Sequence, residues 1–184
     1  MQPTVVVSTD FNGLSADGSA EEGYALDLIN NVLPVIESGY NVSHLPNDRT
    51  FAGLSAGGTR AAQFLFNNPK TFGNYGIWTS TDAFGPTADL SNPDARTRLA
   101  LHVGIGIQDP RPARHGGLAR LATTDIPFTM DTVNGVHSWD VWRQLLVVYA
   151  SDVAFAHTTT AVTHTARRRA RWHVAAAGRY AKLA

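Results

Sequence analysis

The sequence predicts an α/β fold, a mainly parallel sheet of about five strands with helices on both faces. Short runs rich in β-branched and other apolar residues alternate along the chain with longer stretches of helical periodicity. Glycine, proline and asparagine separate the two kinds of segment, as expected at strand and helix ends. With 184 residues, of which 43% are hydrophobic and 16% charged, the chain has the size and composition of one globular domain.

The first strand and the first helix occupy the N-terminal forty residues. TVVVSTD, from Thr4 to Asp10, has the composition of a buried strand. Ser19 and Glu22 then form a capping box. The helix that follows extends to Gly39, and Pro34 is expected to kink or restart it. Its apolar stripe at helical spacing consists of Leu26, Ile29, Leu33 and Ile36.

The remaining elements continue the alternation. Four further strands are predicted at residues 50–54, 75–80, 99–106 and 127–133. Helices are predicted at residues 59–68, ended by Pro69, and around residues 117–123. A final helix carries a stripe of Trp139, Trp142, Leu145 and Tyr149.

The charge distribution divides the chain into two parts. Residues 1–150 hold 9 Lys and Arg against 14 Asp and Glu, whereas residues 151–184 hold 6 against 1. We therefore expect a folded domain over residues 1–150 and a basic tail, partly helical or disordered, over residues 151–184. The tail's RRRAR run is interpreted as a solvated charge cluster, so no nucleic-acid partner is expected. No apolar run approaches the ~20 residues of a membrane helix, and the N-terminus does not have the pattern of a signal peptide.

The pentapeptide Gly53-Leu54-Ser55-Ala56-Gly57 fits G-x-S-x-G between a predicted strand and a predicted helix. In that position the motif forms a sharp turn that exposes the serine hydroxyl, and we expect a side chain at either glycine to clash. The turn also directs the backbone N–H of Ala56 toward an oxyanion formed when Ser55 attacks a carbonyl group. The spacing of Gly53 and Gly58 resembles a phosphate-binding loop, but Thr59-Arg60 replaces the required Lys-Ser/Thr, so no nucleotide cofactor is expected.

A serine nucleophile requires a base and an orienting acid. His137 lies in a glycine-containing loop between the last strand and the last helix, where the chain order Ser, Asp, His places the base. Asp109 follows the strand at residues 99–106 and is the first candidate for the acid. Asp82, after the strand at residues 75–80, is the alternative. No carboxylate cluster joins the tail histidines, and no metal site is predicted.

Three segments together resemble the enterochelin esterase and feruloyl esterase branch of the α/β-hydrolase superfamily. They are DRTFAGLSAGG, VGIGIQDP and NGVHSWDVWRQLL, in this order over residues 3–150. The resemblance, strongest to short secreted actinobacterial esterases, implies Ser55 as nucleophile, His137 as base and Asp109 as acid. It further implies three strands before Thr4 and a loop with a second oxyanion donor, so we expect an N-terminally truncated version of that fold.

The resemblance implies a serine carboxylic-ester hydrolase without a cofactor, acting through an acyl-enzyme on small-molecule or carbohydrate-linked esters such as feruloyl esters. Phe11 and Trp139 are the candidate substrate-binding aromatics. An extracellular location is expected from the family, whereas the oligomeric state is not predicted. The alternative function is a catalytically weak or inactive hydrolase-like domain that acts as a binding module.

Overall fold

A parallel sheet of four strands forms the centre of the protein in a computed structural model. The structure describes residues 4–9, 19–80, 84, 89–97, 100–110 and 119–154. The strands are β1 (Thr50–Leu54), β2 (Asn74–Trp78), β3 (Ala100–Gly106) and β4 (Thr129–Val133), and each pairs with its neighbour in the sequence. All three pairings are parallel, so the carboxyl ends of the four strands lie along one edge of the sheet. The predicted α/β fold is confirmed.

The helices of the described chain flank this sheet. The first helical segment comprises α1 (Ser19–Asp27), a π-helical turn (Leu28–Val32) and α2 (Leu33–Gly39). The long helix α3 (Ala56–Asn67) connects β1 to β2, and residues 119–122 form a further helical turn before β4. The last helix is α4 (Trp139–Val148), which continues as a π-helical turn (Tyr149–Val153). Two short 3₁₀ helices, Pro46–Asp48 and Pro93–Thr97, lie in the connections.

Side chains alternate between the two faces of the sheet and build one hydrophobic cluster on each side. On one face, Phe51, Tyr75 and Ile77 pack with residues of α3 and of the π-helical turn after α1. On the other face, Leu54 and Trp78 pack against Leu145 and its neighbours in α4. Helices therefore cover both faces, as predicted. None of the helices that the structure describes is long and apolar enough to cross a membrane.

The prediction of a buried strand from Thr4 to Asp10 is wrong for residues 4–9. These residues are exposed and form no strand, and 88% of Val6 is accessible. A cavity of about 490 Å³ lies beside this segment and is lined by Val5, Val7, Phe51 and residues of the first helical segment. The β-branched composition indicated a strand, but a strand also requires a ladder with a neighbouring strand, and residues 4–9 join none of the strands that the structure describes.

Two predicted helical stripes differ from the observed ones. In the first helical segment the buried residues are Tyr24 and Leu28, whereas Leu26 is half exposed. The π-helical turn after Asp27 adds a residue to one turn and so changes the face that later residues occupy. In α4 the buried residues are Val141 and Leu145, and Tyr149 continues the same face, whereas Trp139 points into solvent.

Candidate active site

Ser55 lies in the turn between β1 and α3, at the carboxyl edge of the sheet. Its backbone has φ of 52°, which is left-handed and unusual for a residue other than glycine. The Ser55 N–H donates a hydrogen bond of 3.0 Å to the carbonyl oxygen of Trp78, at the end of β2. β2 thus holds the turn in place while the serine hydroxyl remains outside the helix.

The glycines around Ser55 are not equivalent. A Cβ atom on Gly53 would lie 2.1 Å from the carbonyl oxygen of Gly57, and one on Gly58 would lie 2.7 Å from Cβ of Ser80. A Cβ atom on Gly57 would meet nothing within 4 Å. The expectation that both glycines of the pentapeptide exclude a side chain is therefore correct for Gly53 and wrong for Gly57. Gly58, not Gly57, is the second position at which a side chain would clash, because α3 approaches the end of β2 there.

His137 lies in the loop between β4 and α4, and Asp109 lies just after β3. The two loops are tied to each other: the Gln108 N–H donates to the Gly135 carbonyl oxygen at 3.0 Å, and the Gly135 N–H donates to Oε1 of Gln108. Gly135 has φ of 135°, a conformation that favours glycine. This contact holds the loop of Asp109 next to the loop of His137.

The side chains of Ser55, His137 and Asp109 form a continuous hydrogen-bonded chain. His137 Nε2 is 3.0 Å from Ser55 Oγ, and His137 Nδ1 is 3.0 Å from Asp109 Oδ2. The Asp109 side chain is fully buried and that of His137 is 20% exposed. When Nδ1–H donates to Asp109, Nε2 is the ring nitrogen that accepts the serine proton. The arrangement can therefore remove a proton from Ser55 and stabilise the resulting imidazolium.

The other predicted site residues fall in different surroundings. Ala56 is the first residue of α3, so its N–H has no carbonyl acceptor within the helix. Trp139 is 63% exposed and contacts Trp142 edge to face, with ring centroids 5.0 Å apart. Phe11 and the alternative acid Asp82 lie outside the described residues.

Thr79 and Trp142 lie beside this site, although the sequence did not mark either of them as a site residue. The Trp142 ring stands nearly perpendicular to that of His137, with centroids 5.0 Å apart, and its indole N–H donates to Oγ1 of Thr79 at 2.9 Å. The sequence placed Trp142 only on the apolar stripe of the last helix. Its position five residues after the candidate base was the available signal. No sequence signal indicates Thr79.

A second His–Asp pair lies deeper in the sheet. His102 is fully buried in β3, accepts a hydrogen bond from the Trp78 indole N–H at Nδ1, and contacts Asp131 Oδ2 at 2.9 Å through Nε2. Burial lowers the pKa of His102, and the hydrogen bond and charge of Asp131 oppose that shift. The neutral ring donates from Nε2 to Asp131 and joins β2, β3 and β4. Both ring nitrogens are engaged, so this pair has a structural role.

Among the residues that the structure describes, no group of three or more His, Asp or Glu side chains could hold a metal ion.

Comparison with solved structures identifies the fold. FphF, a fluorophosphonate-binding serine hydrolase from Staphylococcus aureus, matches 65% of this chain at 14% identity, with a TM-score of 0.52. A ferulic acid esterase matches 69% at 18% identity, with a TM-score of 0.58. The enterobactin esterase FES from Shigella flexneri matches 73% at 18% identity, with a TM-score of 0.53. No family model and no curated protein matches the chain.

These similarities show that the chain shares an α/β fold with these serine hydrolases and esterases. The chain spans only part of these structures: 59% of FphF, 58% of the ferulic acid esterase and 42% of FES.

Proposed function

We propose that this chain is a serine carboxylic-ester hydrolase with Ser55 as nucleophile, His137 as general base and Asp109 as orienting acid. The observation that carries the proposal is the pair of 3.0 Å contacts that join Ser55 Oγ to His137 and His137 to a buried Asp109 carboxylate. A nucleophile, a base and a third group that orients the base are what acyl transfer requires.

In the first half-reaction, Ser55 Oγ attacks the ester carbonyl carbon and His137 Nε2 takes the hydroxyl proton. The Asp109 carboxylate stabilises the imidazolium that forms. The oxygen of the tetrahedral intermediate carries the negative charge, and the N–H of Ala56, the first residue of α3, donates to it. Collapse of the intermediate expels the alcohol, which receives the proton from His137. The acyl group remains on Ser55.

In the second half-reaction, His137 takes a proton from a water molecule that attacks the acyl carbonyl carbon. The resulting intermediate collapses with Ser55 Oγ as leaving group, and His137 returns the proton to it. The carboxylic acid leaves and the free enzyme is restored.

We further propose that the acyl group is apolar and aromatic, as in feruloyl esters linked to carbohydrate. Val136 directly precedes His137 and is 52% exposed, and Trp139 follows two positions later and is 63% exposed. Exposed apolar side chains next to a reacting group offer a surface for a planar acyl chain. The ferulic acid esterase among the structural neighbours is consistent with this substrate class.

Covalent labelling tests the proposed reaction. A fluorophosphonate probe should add to Ser55 of the wild-type protein, with the site identified by peptide mass spectrometry, and Ser55→Ala should abolish the adduct. Circular dichroism should show that the variant remains folded. A folded wild-type protein that is not labelled at Ser55 would refute the proposed reaction.

Comparison of two esters tests the substrate class. Trp139→Ala should raise KM for methyl ferulate by about three- to tenfold and leave KM for p-nitrophenyl acetate unchanged, because the smaller acyl group does not reach the indole. Leu146→Ala, at a half-exposed position of the same helix, is the matched control. Equal effects of Trp139→Ala on both esters would argue against an aromatic acyl group.

A binding role without catalysis is the second candidate. The side of β1 that faces away from β2 favours it, because backbone groups on that side could pair with a strand of a partner. The Arg49 carbonyl and the Ser55 N–H both bond toward β2. By alternation, the backbone groups of Thr50, Ala52 and Leu54 face the other side, where none of the strands described in the sheet lies. Amide hydrogen exchange separates the two roles: exchange at residues 50–54 as fast as in an unfolded chain would favour binding alone, whereas slow exchange supports a firmly held nucleophile.

A further inference from the structure

We infer that the hydroxyl of Thr79 is a positioning group that holds the nucleophile and the base at their reacting distance. The inference rests on the proposed function, because it concerns the contact between Ser55 and His137. It assigns to Thr79 a role in the rate of the chemical step and not only in the stability of the sheet.

The backbone of Thr79 is the first observation. Thr79 directly follows β2, is 1% exposed and has φ of 51°. Ser55 and Thr79 are the two residues of the described chain, apart from glycine, with positive φ. A β-branched side chain is strongly disfavoured in this region, so its presence indicates that something other than local preference keeps it there. The Thr79 N–H donates to the Gly104 carbonyl oxygen at 2.8 Å, which fixes this conformation against β3.

The hydrogen bonds of the Thr79 hydroxyl are the second observation. Oγ1 accepts the indole N–H of Trp142 at 2.9 Å. Its own proton is therefore donated to the Trp78 carbonyl oxygen, 2.8 Å away. The hydroxyl thus acts both as donor and as acceptor within a buried site, where an unsatisfied hydrogen-bonding group is costly.

The two hydrogen-bond partners of the Thr79 hydroxyl, Trp78 and Trp142, contact Ser55 and His137 respectively. The same Trp78 carbonyl oxygen accepts the Ser55 N–H at 3.0 Å and so holds the strained turn of the nucleophile. The Trp142 ring meets the His137 ring at 88° with centroids 5.0 Å apart, and so limits the rotation of the base. Through these two contacts, one hydroxyl links the backbone of Ser55 to the ring that packs against His137.

The expected effect follows from the sensitivity of reaction rates to geometry. A displacement of about 1 Å between reacting groups costs on the order of 100-fold in rate. Thr79→Val keeps the shape of the side chain but removes the hydroxyl, so Trp142 and Ser55 lose their common link. We expect the rate of phosphonylation at Ser55 and kcat for p-nitrophenyl acetate to fall about 10- to 100-fold, with KM unchanged, because the positioning acts on the chemical step.

Four variants test the inference. Thr79→Val removes the hydroxyl and Thr79→Ser restores it, so Thr79→Ser should recover most of the lost rate. Trp142→Phe removes the indole N–H at the other end of the link. The double variant Thr79→Val/Trp142→Phe should be no slower than the slower single variant, because both changes break one connection. Thr124→Val is the matched control: its hydroxyl donates to the Leu121 carbonyl oxygen and accepts the Ile126 N–H, in the connection that precedes β4.

Each outcome has a distinct meaning. A labelling rate of Thr79→Val within threefold of that of Thr124→Val would overturn the inference. So would a double variant whose rate loss equals the product of the single losses, or an effect confined to KM. Wild-type protein that is folded but unlabelled at Ser55 would refute the proposed function itself, and the inference with it. Urea unfolding of each variant ensures that the rates compare folded molecules.

Discussion

Replacement of Gly53 by alanine should inactivate the protein, whereas the same replacement at Gly57 should not. A Cβ atom on Gly53 would lie 2.1 Å from the Gly57 carbonyl oxygen and 2.2 Å from its carbon, in the first turn of α3. Nonbonded carbon atoms pack best at about 3.5–4 Å, so the end of β1 and the start of α3 must separate by more than about 1 Å. Ser55 lies between these two elements and must move with one of them.

The magnitude follows from the contact of Ser55 with its base. A shift of about 1 Å lengthens the 3.0 Å contact between Ser55 Oγ and His137 Nε2 beyond hydrogen-bonding range. Gly53→Ala should therefore lower the phosphonylation rate by about 100-fold or more. Gly57→Ala meets nothing within 4 Å and replaces a helical glycine, so it should retain the rate and stabilise the fold by up to about 1 kcal/mol.

Fluorophosphonate labelling rates and urea unfolding curves of the two variants check this pair of outcomes. If Gly53→Ala is folded and labelled as fast as wild type, the steric explanation of the turn is refuted. If Gly57→Ala loses the rate to the same extent, the two glycines are equivalent and the structural distinction between them is wrong.

Three further outcomes follow from the site and the core. Asp109→Asn should lower kcat/KM for p-nitrophenyl acetate on the order of 10³- to 10⁴-fold, because the amide favours the wrong tautomer of His137; a loss under tenfold would contradict its role. The folded-state pKa of His102 is lowered by burial, whereas an unfolded histidine titrates near 6.5, so the unfolded state binds more protons below that pH. The free energy of unfolding should therefore decrease as the pH falls below about 6.5, and less steeply in His102→Gln; equal pH dependence in urea titrations at pH 7 and 5 would contradict this. Leu145→Ala should cost about 2–5 kcal/mol of unfolding free energy because Leu145 is fully buried, whereas Leu146→Ala should cost under about 0.5 kcal/mol; comparable urea midpoints would be inconsistent with the packing of α4.

The sequence predicted the sheet well where strand composition and turn residues agreed. The strand Thr50–Leu54 has the predicted bounds, and the other three strands of the sheet lie within about two residues of them. The segment over residues 4–9 has equally strong strand composition but is not part of the described sheet. Composition indicates how well a segment suits a β-strand. Pairing depends on which other strand lies beside it, and a short stretch of sequence does not determine that neighbour.

In the candidate site, too, some features could be predicted from the sequence and others could not. Ser55, Asp109 and His137 could be proposed from spacing, because parallel strands bring their carboxyl ends to one edge. The steric need for Gly53 but not Gly57 depends on how closely α3 approaches β1, which a five-residue pattern does not encode. No sequence signal pointed to Thr79, because the role inferred for it depends on a left-handed backbone that threonine disfavours.

The three proposed catalytic side chains lie on separate connections, and the serine precedes the histidine by 82 residues. During synthesis the chain therefore carries Ser55 long before the loop of His137 exists. In the proposed mechanism, Ser55 has no base until β4 has docked on β3 and the loop of His137 is in place. The proposed reactivity of Ser55 therefore requires β4 to be in place, and the appearance of labelling during refolding would time the pairing of β4 with β3.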